Sequence, residues 1–500
     1  MEADKLATLR AKLARISDIQ GAYGLLSWDQ ETYMPPGATR SRAHQMSTLA
    51  GLVHQHYTDE SLGELLQTLH DQGPNGSAED SNEAAIVRVV WREFQKRVKI
   101  PMALIIERAE ASAVGREAWK EARATSDFSI FQPHLEKQFD IAVRIAEALG
   151  YDANPYDALV DQFEPGLTYD LINEEFSALK PRLKALIDGI AANADAVDRS
   201  VLHRHYPAED QIAFSRRLAE AVGFDFNHGR LDLSTHPFTG GTSYLDVRLT
   251  TRVEEDYLPA CMMATLHEAG HGIHSQQLDP ELYRLPFRYG LATAESQSRF
   301  YENIIGRSRA FWQHFYPLLQ ETFPQLEDTD LETFYRAINK SEPSLIRVEA
   351  DEVTYGMHIM LRFELENEVI NERLAVADLP EAWNDRMESY LGIVPPNDAQ
   401  GVLQDIHWSQ GGIGYFPDYL LGSIFSSQLW DTLKAERPAV EDEIAEGTIG
   451  PVTGWLAEKI QRHGGKYTFP ELAERATGQP FTAEPYIAYL ESKFGAIYAL

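Results

Sequence analysis

The chain has one cysteine, Cys261, in 500 residues, which excludes an intrachain disulfide. Basic residues are also scarce. Lys and Arg number 45 against 76 Asp and Glu, and the resulting net charge of −31 opposes binding to nucleic acid or anionic membrane, where Lys and Arg must neutralise phosphates. No apolar run reaches membrane-spanning length. No internal repeat, low-complexity tract or long linker breaks the chain. The opening Met1-Glu2-Ala3-Asp4-Lys5 lacks the basic and apolar regions of a secretory signal, so a cytoplasmic location is the expectation. Cys261 lies in an apolar stretch six residues before His267, where it reads as packing and not as a nucleophile.

What is present suits a large buried core: 44% of the residues are hydrophobic. Their dominant period is helical, as in Leu6, Leu9, Leu13 and Ile16, or in the run from Asn82 to Lys99 with Ile86, Val87, Val90 and Phe94. Breaks fall at Gly73 to Gly76, Gly150 to Pro155, Glu164-Pro165-Gly166, Val394 to Asn397 and His463 to Lys466, which predicts helices joined by short turns. The strand candidates are Arg230 to Ser234 and Ser243 to Thr250, paired as a small hairpin across the turn-like Pro237 to Gly241. Such a hairpin could bind a peptide by strand addition. One domain over 1–500 is expected.

The segment just after that hairpin holds the most informative pattern, His267-Glu268-Ala269-Gly270-His271. Residues four apart on an α-helix project from nearly one face, so both histidines reach one zinc ion while Glu268 sits beside its water. This is the chemistry of metal-assisted hydrolysis. The preceding run from Tyr257 to Leu266 reads as a buried helix with Asp256 as its cap and Pro259 in its first turn. A catalytic zinc needs a third protein ligand, and Glu295 is the best placed. The 24 residues from His271 let one helix end, the chain turn at Asp279-Pro280, and a second helix return past the metal. His274 is too far along the axis from His267, roughly 10 Å, to share the ion, and reads as a supporting or surface residue.

Further segments resemble the signature motifs of the carboxypeptidase Taq family of metallocarboxypeptidases. In order they are His236-Pro237-Phe238, Asp246-Val247-Arg248-Leu249-Thr250, the pentad, Ile346-Arg347-Val348-Glu349-Ala350-Asp351, Gly401 to Trp408, and Gly414-Tyr415-Phe416-Pro417. Similarity also appears at Ser27-Trp28-Asp29 and in the tail from Glu484 to Leu500. One departure stands out: Ala294 precedes Glu295 where the family has histidine. The resemblance implies an all-α, zincin-like fold with a deep central groove and a small hairpin or sheet beside the metal. It also implies a homodimer acting on peptides with zinc, or cobalt in its place.

The same resemblance suggests His407 and Tyr415 as donors to the oxyanion, borne on a loop made adaptable by Gly411, Gly412 and Gly414, with Tyr419 as a rival donor. It places His236 in the substrate groove. A free C-terminal carboxylate suits a guanidinium, for which Arg347 and Arg248 are the candidates; their competing roles are ion pairs with Asp351 and Asp246. Trp28 and Asp29 read as structural, an aromatic anchor and a cap or paired acid. The expected activity is broad release of C-terminal amino acids. An oligopeptidase cutting internal bonds and a non-catalytic, metal-retaining peptide binder remain alternatives.

Overall fold

A computed structural model describes residues 2–73, 80–287 and 289–500. Helices dominate, and their ends obey local rules. Asn82–Lys99 begins where the Ser81 hydroxyl accepts the Ala84 N–H at 3.1 Å, and it ends in Lys96, Arg97 and Lys99, cations suited to the negative end of the helix dipole. Glu2–Thr32 buries Leu9, Leu13 and Ile16 along one stripe. The expected breaks lie between helices, although Pro74, Asn75 and Gly76 of the first, like Met1, are outside the described residues. Among the described residues, no helix is long and apolar enough to cross a membrane.

Two hydrophobic cores form. The larger runs from Leu104 to Tyr498 and includes the buried face of the pentad helix, Pro259–Gln276. The smaller joins the first four α-helices through Leu9, Leu13, Tyr57, Leu66 and Ile86, and it takes in Leu282, Leu285 and Phe287 from the loop that follows the pentad helix.

The sheet differs from the expected hairpin. Strands β1 (Gly229–Leu233), β2 (Thr239–Ser243) and β3 (Asp246–Thr251) lie in the order β1-β3-β2. The two segments expected to pair antiparallel, β1 and β3, pair in parallel, Leu231 opposite Leu249. The antiparallel partner of β3 is β2, built from residues expected to form the turn. Gly240 and Gly241 suggest a turn by composition, yet in a strand small residues permit close backbone approach. A Cβ on Gly241 would lie 2.1 Å from the Asp246 carbonyl oxygen, so the glycine is what lets β2 reach β3.

Candidate metal centre

Pro259 opens the pentad helix, where its missing N–H costs nothing, and no side chain caps the preceding Leu258. Asp256 is therefore not the cap; it lies in a turn three residues before the helix. One turn apart, the His267 and His271 rings stand edge to face at 81° with centroids 5.0 Å apart. Glu295, on helix Leu291–Arg299, places Oε2 3.8 Å from His267 Nε2 and 3.6 Å from His271 Nε2. All three ligand atoms lie within 4.8 Å of one another. Two imidazole nitrogens and one carboxylate oxygen gathered in this way form a donor set that would hold a small divalent cation.

Two glycines make that approach sterically feasible. A Cβ on Gly270, inside the pentad, would lie 2.5 Å from the Gln297 carbonyl oxygen and 2.6 Å from Ser298 Cα. On the opposite side, a Cβ on Gly422 of helix Pro417–Glu436 would lie 2.6 Å from Glu295 Cβ. The Glu295 helix is thus wedged between two helices that present hydrogen where a side chain would push it away.

Beyond the ligands, the site is held by charge. Glu302 Oε2 lies 2.9 Å from His267 Nδ1. Burial works against ionising Glu302, but Arg299, His267 and Arg307 prevail and hold its carboxyl at about 2. An ionised carboxylate only accepts, so Nδ1 carries the proton and Nε2 is left to face Glu295. Arg299 Nε donates to Glu295 Oε1 at 2.8 Å. Against burial, Arg299, His267 and His271 keep Glu295 far below the ordinary carboxylate range. Burial likewise disfavours a charged His267, yet Glu295, Glu302 and Glu268 together raise it to about 9.

Glu268 is 6% exposed, and its carboxylate Oε2 lies 2.7 Å from the Thr239 hydroxyl on β2. The overturned turn assignment therefore matters here, because β2 supplies the side chain that orients Glu268.

The segment 407–416 brings His407 and Tyr415 together. The His407 ring packs on Phe416 at 4.7 Å and Tyr415 at 5.2 Å, and its Nε2 lies 3.5 Å from the Tyr419 hydroxyl. Burial lowers His407 to about 4 against the pull of Asp405, with Arg347 and Arg362 acting in the same direction as burial, so the imidazole is neutral at pH 7. Exposed His236 lies near enough to add to that field, and the Glu295 carboxylate acts on the Tyr415 hydroxyl. The field of the triad and that of this segment thus overlap.

The model of the carboxypeptidase Taq (M32) metallopeptidases matches residues 8–494. The chain belongs to that family. It is 40% identical to thermostable carboxypeptidase 1 of Thermus thermophilus, over 95% of each chain. It is 37% identical to carboxypeptidase 1 of Bacillus subtilis, over 98% of this chain and 97% of the relative. A crystal structure of an M32 carboxypeptidase from Deinococcus radiodurans R1 matches at TM-score 0.95 and 38% identity, covering 99% of this chain and 100% of that one. The protein is thus a peptide hydrolase of the metallocarboxypeptidase kind, and the fold is the helical one the resemblance implied.

In this M32 chain several expected partners change. Arg347 does not pair with Asp351. Its Nε and Nη2 donate to Asp405 Oδ1 at 3.1 and 2.8 Å, and Nη1 donates to the Tyr355 hydroxyl at 3.0 Å. Asp351 instead accepts the N–H groups of Val353 and Thr354 at the start of helix Tyr355–Ile370. Arg248 does pair with Asp246, at 2.9 Å, and stacks at 4.3 Å on Trp28, which is buried as an anchor. Asp29 pairs with Arg42 at 2.6 Å. His274 is not at the surface: it is fully buried, 3.7 Å from the Tyr289 ring. Cys261 is buried as expected, and burial pushes its thiol up.

Sequence reasoning missed Arg299, Glu302, Thr239 and Asp405. A signal existed for the first two, since they follow Glu295 by four and seven residues, the spacing of one helical face. Thr239 was hidden by its glycine neighbours, and Asp405 by the 58 residues between it and Arg347.

Proposed function

We propose that this metallocarboxypeptidase uses zinc, or cobalt in its place, to release C-terminal amino acids one at a time with broad side-chain tolerance. The observation that carries the reading is the convergence of His267, His271 and Glu295 beside the oriented carboxylate of Glu268. Two imidazoles and one carboxylate are a donor set suited to catalytic zinc with an open position. A divalent cation held there supplies a Lewis acid for the scissile carbonyl and acidifies water enough for attack at neutral pH.

The chain's own groups do the rest. Glu268 takes the proton of the attacking water and passes it to the leaving amine, with Thr239 fixing the carboxylate. His407 and Tyr415 donate hydrogen bonds to the developing oxyanion; a neutral imidazole serves as a donor for this purpose. Arg347 receives the substrate's C-terminal carboxylate. Three of its five N–H groups bond to Asp405 and Tyr355, which leaves two for a ligand in a guanidinium held rigid by its neighbours. Arg248 is the second candidate and His236 lines the approach. The reading includes a homodimer, carried by the family resemblance, in the cytoplasm, the location expected from the sequence.

Mass spectrometry of a digested peptide, with and without chelator, tests it. A ladder of single C-terminal losses that chelator abolishes and zinc restores is expected. Internal fragments would assign an oligopeptidase instead, and metal occupancy without hydrolysis would assign a binding protein.

A further inference from the structure

Glu366 lies on helix Tyr355–Ile370 with no exposure to solvent. Among the described residues no cation touches its carboxylate in a hydrogen bond; the donors are instead an indole, a main-chain amide and a phenol. Trp408 Nε1 donates to Oε1 at 2.6 Å. The Gly414 N–H donates to Oε2 at 2.9 Å, and the Tyr156 hydroxyl donates to the same oxygen at 2.6 Å. Trp408, in the single-turn helix His407–Gln410, and Gly414 bracket one short segment that loops through Gly411 and Gly412. His407 immediately precedes the first, and Tyr415 immediately follows the second.

We infer that Glu366 is a positioning residue, a single rigid carboxylate that clamps both ends of the 408–414 loop and so sets the spacing of the two oxyanion donors. The inference rests on the donor roles proposed for His407 and Tyr415. Three observations carry it beyond ordinary packing. A buried carboxyl is a costly filler, and an apolar side chain would occupy the space more cheaply. The cost is visible, for burial raises this carboxyl to about 7 although three donors favour its charged form. The clamp also has little slack: Trp408 packs against Trp383 at 6.0 Å and Phe139 at 6.3 Å, and Gly414 sits at φ 89° where an added Cβ would lie 3.0 Å from the Leu159 carbonyl carbon. With the ends fixed, the His407 and Tyr415 rings stand 5.2 Å apart.

The decisive variant is Glu366→Gln. An amide has the same shape but only one acceptor oxygen, so it meets either the Trp408 indole or the Gly414 amide and repels the other. Misplacing a group by about 1 Å costs up to 10²-fold, so kcat should fall about 30- to 100-fold. KM should stay within about threefold, and one zinc per chain should remain, because binding and metal groups are not moved. A kcat within about threefold of the parent enzyme, or a loss expressed wholly in KM, would overturn the proposal. If Glu366→Gln does not fold, Trp408→Phe decides: it keeps the carboxylate and frees one loop end, and kcat should fall about tenfold, whereas an unchanged kcat overturns the clamp.

Where both fold, the double variant should be little worse than Glu366→Gln alone, since the two remove one shared bond; independent multiplication of the losses counts against it. His407→Asn and Tyr415→Phe separate the two layers of the argument. If they leave kcat intact, the donor reading fails and takes this inference with it. If they lower kcat while Glu366→Gln does not, only the clamp fails.

Discussion

His267 is locked from behind by Glu302, whose carboxylate oxygen lies 2.9 Å from Nδ1 and is itself gripped by Arg299 at 3.1 Å. That contact fixes both the ring's orientation and which nitrogen faces Glu295. Replacing Glu302 by Gln should weaken zinc affinity about 10- to 100-fold, and activity should return when excess zinc is supplied. Competition against a chromogenic chelator measures this, and an affinity equal to that of the parent protein would remove the role.

Glu268→Gln separates metal binding from turnover. The variant should keep its bound metal while kcat falls about 10²- to 10⁴-fold, the usual contribution of a positioned general base. Thr239→Val, which removes the hydroxyl 2.7 Å from that carboxylate, should cost about tenfold. A near-normal peptidase rate in Glu268→Gln would refute the assignment.

Metal uptake should depend on pH with a definite sign. His267 is raised to about 9 in the cation-free site, so below that pH a proton competes for the nitrogen that a metal needs. Apparent affinity should rise about tenfold per pH unit up to about 9 and then level off, with close to one proton released per metal bound near pH 7. Calorimetry in buffers of different ionisation enthalpy counts that proton. His407, lowered to about 4, stays neutral over this window and should add no limb to the kcat profile above pH 5.

The carboxylate assignment is tested by comparing free-acid peptides with the same peptides amidated. Arg347→Ala should lower kcat/KM on the free acids about 10²-fold and affect the amides far less. Equal losses on both would mean that Arg347 only props the site through Asp405 and Tyr355. Arg248→Ala, run alongside, shows whether the second guanidinium shares the task.

Gly270→Ala probes the wedge. The new methyl meets main-chain atoms at 2.5 and 2.6 Å, which cannot swing aside, so the pentad and Glu295 helices must part. A destabilisation of about 1–3 kcal/mol is expected, together with loss of bound metal. Thermal melting and metal analysis read the two effects, and a variant that melts normally with full zinc would show that the contact is not limiting.

The parts of the site that were legible in the sequence are those set by short-range geometry. The pentad follows from the four-residue repeat of one helical face, and Glu295 from a chain length just sufficient for a return helix. The parallel pairing of β1 with β3 was not legible, because the chain crosses β3's place to form β2 before coming back, and nothing local records the detour. Thr239 was lost with it, since a glycine-rich strand and a turn have the same composition. Arg347 found Asp405 in place of Asp351 because its segment is a short turn and not the α-helix assumed for a one-turn pair.

The chain between the two ligand-bearing helices buries Leu282, Leu285 and Phe287 in the N-terminal core, and Arg10 reaches the Glu281 carbonyl at 3.0 Å. The first four α-helices therefore anchor the strap that joins His271 to Glu295. A proteolytic nick among those early helices, far from any reacting atom, should slacken the strap and show itself first as leakage of the cation, well before the helical content declines.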